Sequence, residues 1–153
     1  MDASRATSST GSPRARAPAH LWIVGILALL WNLMGAFDYV ATQFRLDFYM
    51  SQFSEEQLAY FYGFPAWAVA GWAFGVWSSV VGSVALLARW RWAVWAFAVA
   101  IAGMVVSSLY TVVLTDGVTM MGAGGVVFTL VIWAVAIFLL LYARRLAQRG
   151  VLA

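Results

Sequence analysis

The sequence contains no cysteine and no lysine, and its single histidine is His20. Without cysteine the chain cannot form disulfides, thiolate metal sites, iron–sulfur clusters or a thiol nucleophile. One histidine outside the apolar segments also excludes a haem held between two membrane histidines. No pair of residues forms an evident nucleophile and base. The composition therefore predicts a protein without catalytic residues, cofactor or metal site.

Charged residues are scarce, at 10% of 153 residues against 64% hydrophobic ones, and the mean hydropathy is +0.86. A soluble domain carries about 25% charged residues, and a small domain cannot bury so large an apolar majority. The lipid bilayer is therefore the first predicted partner. The net charge of +3 comes from arginine alone. In a membrane protein a positive net charge usually reflects which loops face the cytoplasm. No nucleic-acid partner is therefore expected.

Four apolar segments each approach the roughly 20 residues that a helix needs to cross a bilayer. Lipid offers no hydrogen-bond partners to a free backbone, so these segments must be helices. The predicted fold is an all-α integral membrane bundle, with a transmembrane domain over 21–145 and spans at about 21–41, 65–87, 92–114 and 123–142.

The remaining segments are polar. Residues 1–20 are rich in Ser, Thr, Pro, Ala and Arg, which predicts a disordered cytoplasmic tail, with an organellar transit peptide as the alternative. Residues 146–153 form a cytoplasmic C-terminal end. If the N-terminus is inside, eight arginines lie on the cytoplasmic side and only Arg45 lies outside. This distribution predicts that both termini are cytoplasmic.

The link between the first two spans, 42–64, contains a helix signal. Ser54 and Gln57 have the spacing of a capping box, and Phe53 and Leu58 have that of a hydrophobic staple. The sequence therefore predicts a short amphipathic helix at the outer membrane surface or over the mouth of the bundle.

Small residues recur along the second span at Gly71, Gly75, Ser79 and Ser83, and a looser stripe in the third span includes Gly103. Small residues one turn apart let helices approach closely in lipid. The two stripes are predicted to face each other within one chain or to pack against a second copy. The candidate partners are therefore a second copy, which would form a homodimer, and a larger membrane complex.

Two polar residues interrupt the first span. At about 1.5 Å per residue, Asn32 lies about 16 Å from the start of that span and Asp38 about 25 Å, near the outer headgroups. Gly35 lies between the helix face that carries Asn32 and the face that carries Asp38, and a partner helix can pack closely there. Tyr110, Thr111 and Thr129 lie at a depth that makes them candidate partners of Asp38.

Two interpretations of these polar residues stay open. In the first, Asn32 donates an interhelical hydrogen bond to Ser78 or Ser79, and Asp38 bonds near the outer surface. In the second, Asp38 is a proton- or cation-coupled site, as expected of an ionisable group inside a membrane. Deep tryptophans provide either a ligand cavity or core and lipid-facing packing: Trp31, Trp72, Trp77 and Trp133.

Five stretches occur in a familiar order: WNLMGAFDYV, EQLAYFYGFPAWA, GSVALLARWRWAV, GAGG and LLYARRLAQRGVL. Over 21–152 the chain resembles a family of small bacterial four-span inner-membrane proteins often catalogued as sugar transporters. The resemblance implies a bacterial inner-membrane location and a transporter, and it assigns no site residues.

Two functions follow from these observations. The first is a non-catalytic membrane protein that packs against itself or against a larger complex, which the small-residue stripes favour. The second is a small-solute carrier for a sugar-like or ion-coupled substrate, acting as a dimer because four short helices enclose little volume. In that case Asp38, Asn32 and the deep tryptophans line the path.

Overall fold

The computed structural model of the protein describes residues 16–153, and helices dominate that part of the chain. Four of them are long and apolar enough to cross a membrane, so the predicted all-α bundle is confirmed and the chain is a multi-pass membrane protein. The elements are α1 (Ala19–Gln43), α2 (Asp47–Met50), α3 (Glu55–Tyr62), α4 (Ala66–Leu87), α5 (Trp92–Leu109) with a π-helical turn (Tyr110–Leu114), and α6 (Gly117–Gln148).

Helix boundaries differ from the predicted spans at both ends of the chain. Residues 1–15 of the predicted tail lie outside the described residues, and α1 begins at Ala19, directly after Pro18. Helix α6 begins six residues before the predicted start at 123 because a first turn precedes Gly122. Gly122 has φ 62° and ψ −179°, a conformation that favours glycine and interrupts the helix. The uninterrupted part of α6 therefore begins where the fourth span was predicted.

The predicted capping box is present at the start of α3. The backbone N–H of Gln57 donates to Ser54 Oγ over 3.2 Å, and the N–H of Ser54 donates to Gln57 Oε1 over 3.1 Å. Glu55 and Glu56 occupy the first turn, where the positive end of the helix dipole favours them. This confirms the short helix in the first link, whereas the single turn of α2 was not predicted.

Helices α4 and α5 approach each other backbone to backbone. A Cβ atom placed on Gly103 would lie 2.5 Å from the amide nitrogen of Gly75 and 2.6 Å from the carbonyl oxygen of Gly71. A Cβ on Gly71 would lie 2.8 Å from the side chain of Val106. The two small-residue stripes thus face each other within one chain. We call Gly71, Gly75 and Gly103 the α4–α5 seam.

The buried core lies toward one end of the bundle, where α1, α4, α5, α6 and the C-terminal segment meet. There Leu152 is packed in the core, and Ala153 exchanges backbone hydrogen bonds with Arg89 and Arg91 of the α4–α5 loop. We call this the arginine-rich end, since it holds Arg16, Arg89, Arg91, Arg144, Arg145 and Arg149. The acidic residues of 16–153 lie toward the opposite end, with Arg45: Asp38, Asp47, Glu55, Glu56 and Asp116.

Helices α1 and α6 are antiparallel and meet through ring contacts. At the arginine-rich end, His20 Nδ1 and the Tyr142 hydroxyl are 2.5 Å apart. Further along, the rings of Trp31 and Phe128 lie with their centroids 6.0 Å apart. Helix α4 packs against both α1 and α5, and α5 packs against α6.

Candidate functional site

Asn32 connects α1 to α4 near the middle of the bundle. Its Nδ2 donates to Ser83 Oγ over 2.8 Å and to the carbonyl oxygen of Ser79 over 3.3 Å. The Ser83 hydroxyl in turn donates to the same Ser79 carbonyl over 3.0 Å and is fully buried. Interhelical bonds of this kind contribute about 0.6 kcal/mol, and up to about 1.7 kcal/mol, in membranes. Asn32 therefore fixes how α1 lies against α4.

Asp38 is held by a residue that follows it closely in sequence. After α1 the chain reverses at Arg45, whose φ is 52°, and the N–H of Leu46 donates to the Ala41 carbonyl over 2.9 Å. This reversal places α2 against the end of α1. The hydroxyl of Tyr49 then donates to Asp38 Oδ1 over 2.6 Å, a short bond of the kind made to carboxylates.

Aromatic rings surround the Tyr49 side chain. The ring of Phe37 meets it edge-on with centroids 5.6 Å apart, and the ring of Phe53 does the same at 5.6 Å. Burial raises the pKa of the Tyr49 hydroxyl, and the hydrogen bond to Asp38 and the charge of that carboxylate raise it further. Tyr49 therefore stays protonated and remains the donor in its bond to Asp38.

The structure does not bring the predicted partners Tyr110 and Thr111 to Asp38. The Tyr110 hydroxyl donates to the Gly63 carbonyl over 3.2 Å, and Thr111 Oγ1 donates to the Ser107 carbonyl over 3.5 Å. Both residues belong to the π-helical turn after α5. The loop after α1 folds back and supplies Tyr49 instead, so depth in the membrane alone pointed to the wrong helix.

Gly35 on α1 and Gly124 on α6 both have open space beside them. A Cβ atom placed on Gly35 or on Gly124 would meet nothing within 4 Å among the described residues. Gly35 follows Trp31 by one helical turn, and Gly124 precedes Phe128 by one turn. Because the helices are antiparallel, both glycines lie about 6 Å beyond the Trp31–Phe128 contact, toward the opposite end. We call this opening the α1–α6 cleft.

Asp38 follows Gly35 by three residues on α1, and its carboxylate is bonded to Tyr49. The floor of the α1–α6 cleft is apolar, since it consists of the Trp31 and Phe128 rings, and Phe128 is 51% exposed. Gly35, Gly124 and the two rings thus form an apolar surface, and Asp38, the carboxylate that follows in sequence, is already bonded to Tyr49. Such a surface fits an apolar occupant better than a charged one.

Three of the four deep tryptophans, Trp31, Trp72 and Trp77, lie in different surroundings. Trp31 contacts Phe128, whereas Trp72 meets Tyr39 edge-on with centroids 5.1 Å apart. Trp77 is 46% exposed on α4. Of these tryptophans, Trp31 is the one that reaches the α1–α6 cleft.

No group of three metal-ligating side chains occurs within residues 16–153. Comparison of the chain with protein-family models, with curated proteins and with solved structures finds no match. The resemblance to the four-span family therefore stays a prediction. Any function of the site has to follow from the contacts of Asn32, Gly35 and Asp38 themselves.

Proposed function

We propose that this multi-pass membrane protein acts without catalytic chemistry, by packing a helix of another membrane chain into the α1–α6 cleft. The partner that we place first is a second copy of the same protein. The observation that supports this is the empty space beside Gly35 and Gly124, which none of the described residues 16–153 fills.

The physics of helix association in lipid supports this choice of surface. Apolar side chains gain little by leaving lipid for another helix, so close backbone approach at small residues drives association. The α4–α5 seam is already used within the chain, since Gly103 touches Gly71 and Gly75. At the cleft, by contrast, one described glycine from each of two long helices faces open space, and the two glycines lie at the same depth.

Filling the cleft tests the proposal. Gly35→Leu and Gly124→Leu each add a side chain where the chain has no neighbour, so the monomer should still fold. We expect Förster transfer between donor- and acceptor-labelled copies in vesicles to be lost in both variants. Val105→Leu on α5 is the matched control, because Val105 is 53% exposed and lies away from the cleft. Transfer that survives in both glycine variants contradicts the proposal.

If labelled wild-type copies show no transfer, the second copy is rejected and a larger membrane complex is the remaining partner. The same three variants are then extracted gently, and the proteins that co-purify with each are compared. A co-purifying membrane protein that Gly35→Leu and Gly124→Leu release, and that Val105→Leu retains, identifies the cleft as its docking site.

For location, we propose a bacterial inner membrane with both termini cytoplasmic. The distribution of the arginines supports this, since the positive-inside rule places arginine-rich ends in the cytoplasm. The absence of cysteine makes the test simple. A membrane-impermeant maleimide should label Ser51→Cys in intact cells and should label Gln148→Cys only after lysis. The reverse pattern contradicts this orientation.

One observation favours the second candidate, a dimeric carrier of a small solute such as a sugar or a coupled ion. Asp38 is a partly buried carboxylate near the end of a membrane-spanning helix, and intramembrane carboxylates are common at ion and substrate pathways. In proteoliposomes, Asp38→Asn should then abolish uptake while the protein still folds. Uptake that is unchanged in this variant excludes Asp38 as the coupling group.

A further inference from the structure

A groove at the arginine-rich end has the features of a phosphate site. It has a volume of about 400 Å³ and lies between the start of α5 and the end of α6. Its polar lining comes from Arg91, Arg144 and Gln148, and its apolar lining from Val94, Trp95 and Ala147. We call it the α5–α6 groove.

Neither arginine of the groove is used inside the described chain. The side chains of Arg91 and Arg144 have no hydrogen-bond or ion-pair partner among residues 16–153, and both residues are exposed. The acidic residues of that range lie toward the opposite end of the bundle. The lining of the groove therefore carries two guanidinium groups and no acidic side chain, which leaves their charge available to an external anion.

The surface next to the groove is suited to an acyl chain. Leu141 and Ile137 precede Arg144 by three and seven residues, so they lie on the same face of α6. They are 48% and 46% exposed, and they extend about 10 Å from Arg144 toward the membrane centre. Trp95, at 68% exposure, supplies an amphipathic ring at headgroup level.

We propose that the α5–α6 groove binds an anionic phospholipid, with the headgroup phosphate between Arg91 and Arg144 and an acyl chain along Leu141 and Ile137. Basic pockets between transmembrane helices recognise lipid headgroups in this way. The adjoining apolar stripe favours a lipid over a free phosphate ion. This site uses α5 and α6 at the arginine-rich end and does not depend on what occupies the α1–α6 cleft.

Native mass spectrometry of the full chain, titrated with phosphatidylglycerol or phosphatidylcholine in detergent, tests the proposal. We expect phosphatidylglycerol to bind more tightly than phosphatidylcholine. In the double variant Arg91→Gln and Arg144→Gln, phosphatidylglycerol should bind about 25-fold more weakly, since each arginine near a charged surface contributes about fivefold.

The control is a second double variant, Arg145→Gln and Arg149→Gln, which removes the same charge at the same end without touching the groove lining. It should change phosphatidylglycerol affinity less than about threefold. An equal loss in both double variants contradicts the site, as does equal affinity for the two lipids. Inorganic phosphate is the third arm: if it displaces phosphatidylglycerol at equal concentration, a lipid ligand is rejected. All of these residues are exposed, and circular dichroism verifies that each variant remains helical.

Discussion

The Tyr49 hydroxyl donates a 2.6 Å hydrogen bond to the carboxylate of Asp38, and this bond ties the loop after α1 back onto the helix. The carboxylate lies in the last third of α1, and its donor comes from the single turn of α2. The contact explains how a partly buried carboxylate is tolerated in a span where the described residues provide no arginine or histidine to pair with it.

Tyr49→Phe should lower the stability of the end of the bundle opposite the arginine-rich end. The substitution keeps the ring between Phe37 and Phe53 and removes only the donor, so Asp38 loses its partner. Leaving a buried acceptor unsatisfied costs about 1–3 kcal/mol. Denaturant unfolding in detergent should show this loss, whereas Tyr39→Phe, whose ring packs on Trp72, should change stability by less than about 0.5 kcal/mol. Equal effects in the two variants contradict the role of the bond.

Alkaline pH should weaken the same contact. The pKa of Tyr49 is raised above its ordinary value of 10.0 in the folded protein, first by burial and then by Asp38. The stability that this shift provides is fully present below pH 10.0 and is lost as the pH rises through the folded-state pKa. The stability difference between wild type and Tyr49→Phe should therefore shrink when the pH is raised above 10.0. A difference that stays constant from neutral pH upward contradicts the assignment.

The α4–α5 seam should not tolerate even one methyl group. In Gly103→Ala the new Cβ meets the backbones of Gly71 and Gly75, which cannot move aside as a flexible side chain does. We expect a loss of about 1–3 kcal/mol, although alanine is the better helix former. Gly35→Ala is the matched control, since its Cβ meets no neighbour, and it should unfold at the same denaturant concentration or higher. Equal losses in both variants contradict the seam.

Much of the fold could be predicted because its signals are local. Apolar runs of about 20 residues determine the four membrane helices, and the Ser54–Gln57 spacing determines the start of α3 through bonds within a single turn. The partner of Asn32 could also be predicted, because depth in the membrane alone placed the Ser79 region of α4 beside it.

The contact between Asp38 and Tyr49 could not be predicted in the same way. It requires the chain to reverse at Arg45 in a left-handed conformation, for which an arginine gives no sequence signal. The α1–α6 cleft could not be predicted from the sequence either, because it depends on how α1 and α6 are spaced beyond the contact of Trp31 with Phe128. Gly35 and Gly124 show that a glycine in the sequence does not by itself indicate whether another helix packs against it.

Disulfide cross-linking tests whether a second copy packs into the α1–α6 cleft. The chain has no cysteine of its own, so any disulfide formed by a single-cysteine variant joins two chains. A disulfide requires Cα atoms about 4.4–6.8 Å apart. We predict that Gly35→Cys, mixed with Gly124→Cys in membranes, forms dimers under mild oxidation, whereas Val105→Cys does not. Absence of dimers from the glycine positions, or equal cross-linking at Val105, would contradict the packing of a second copy into the cleft.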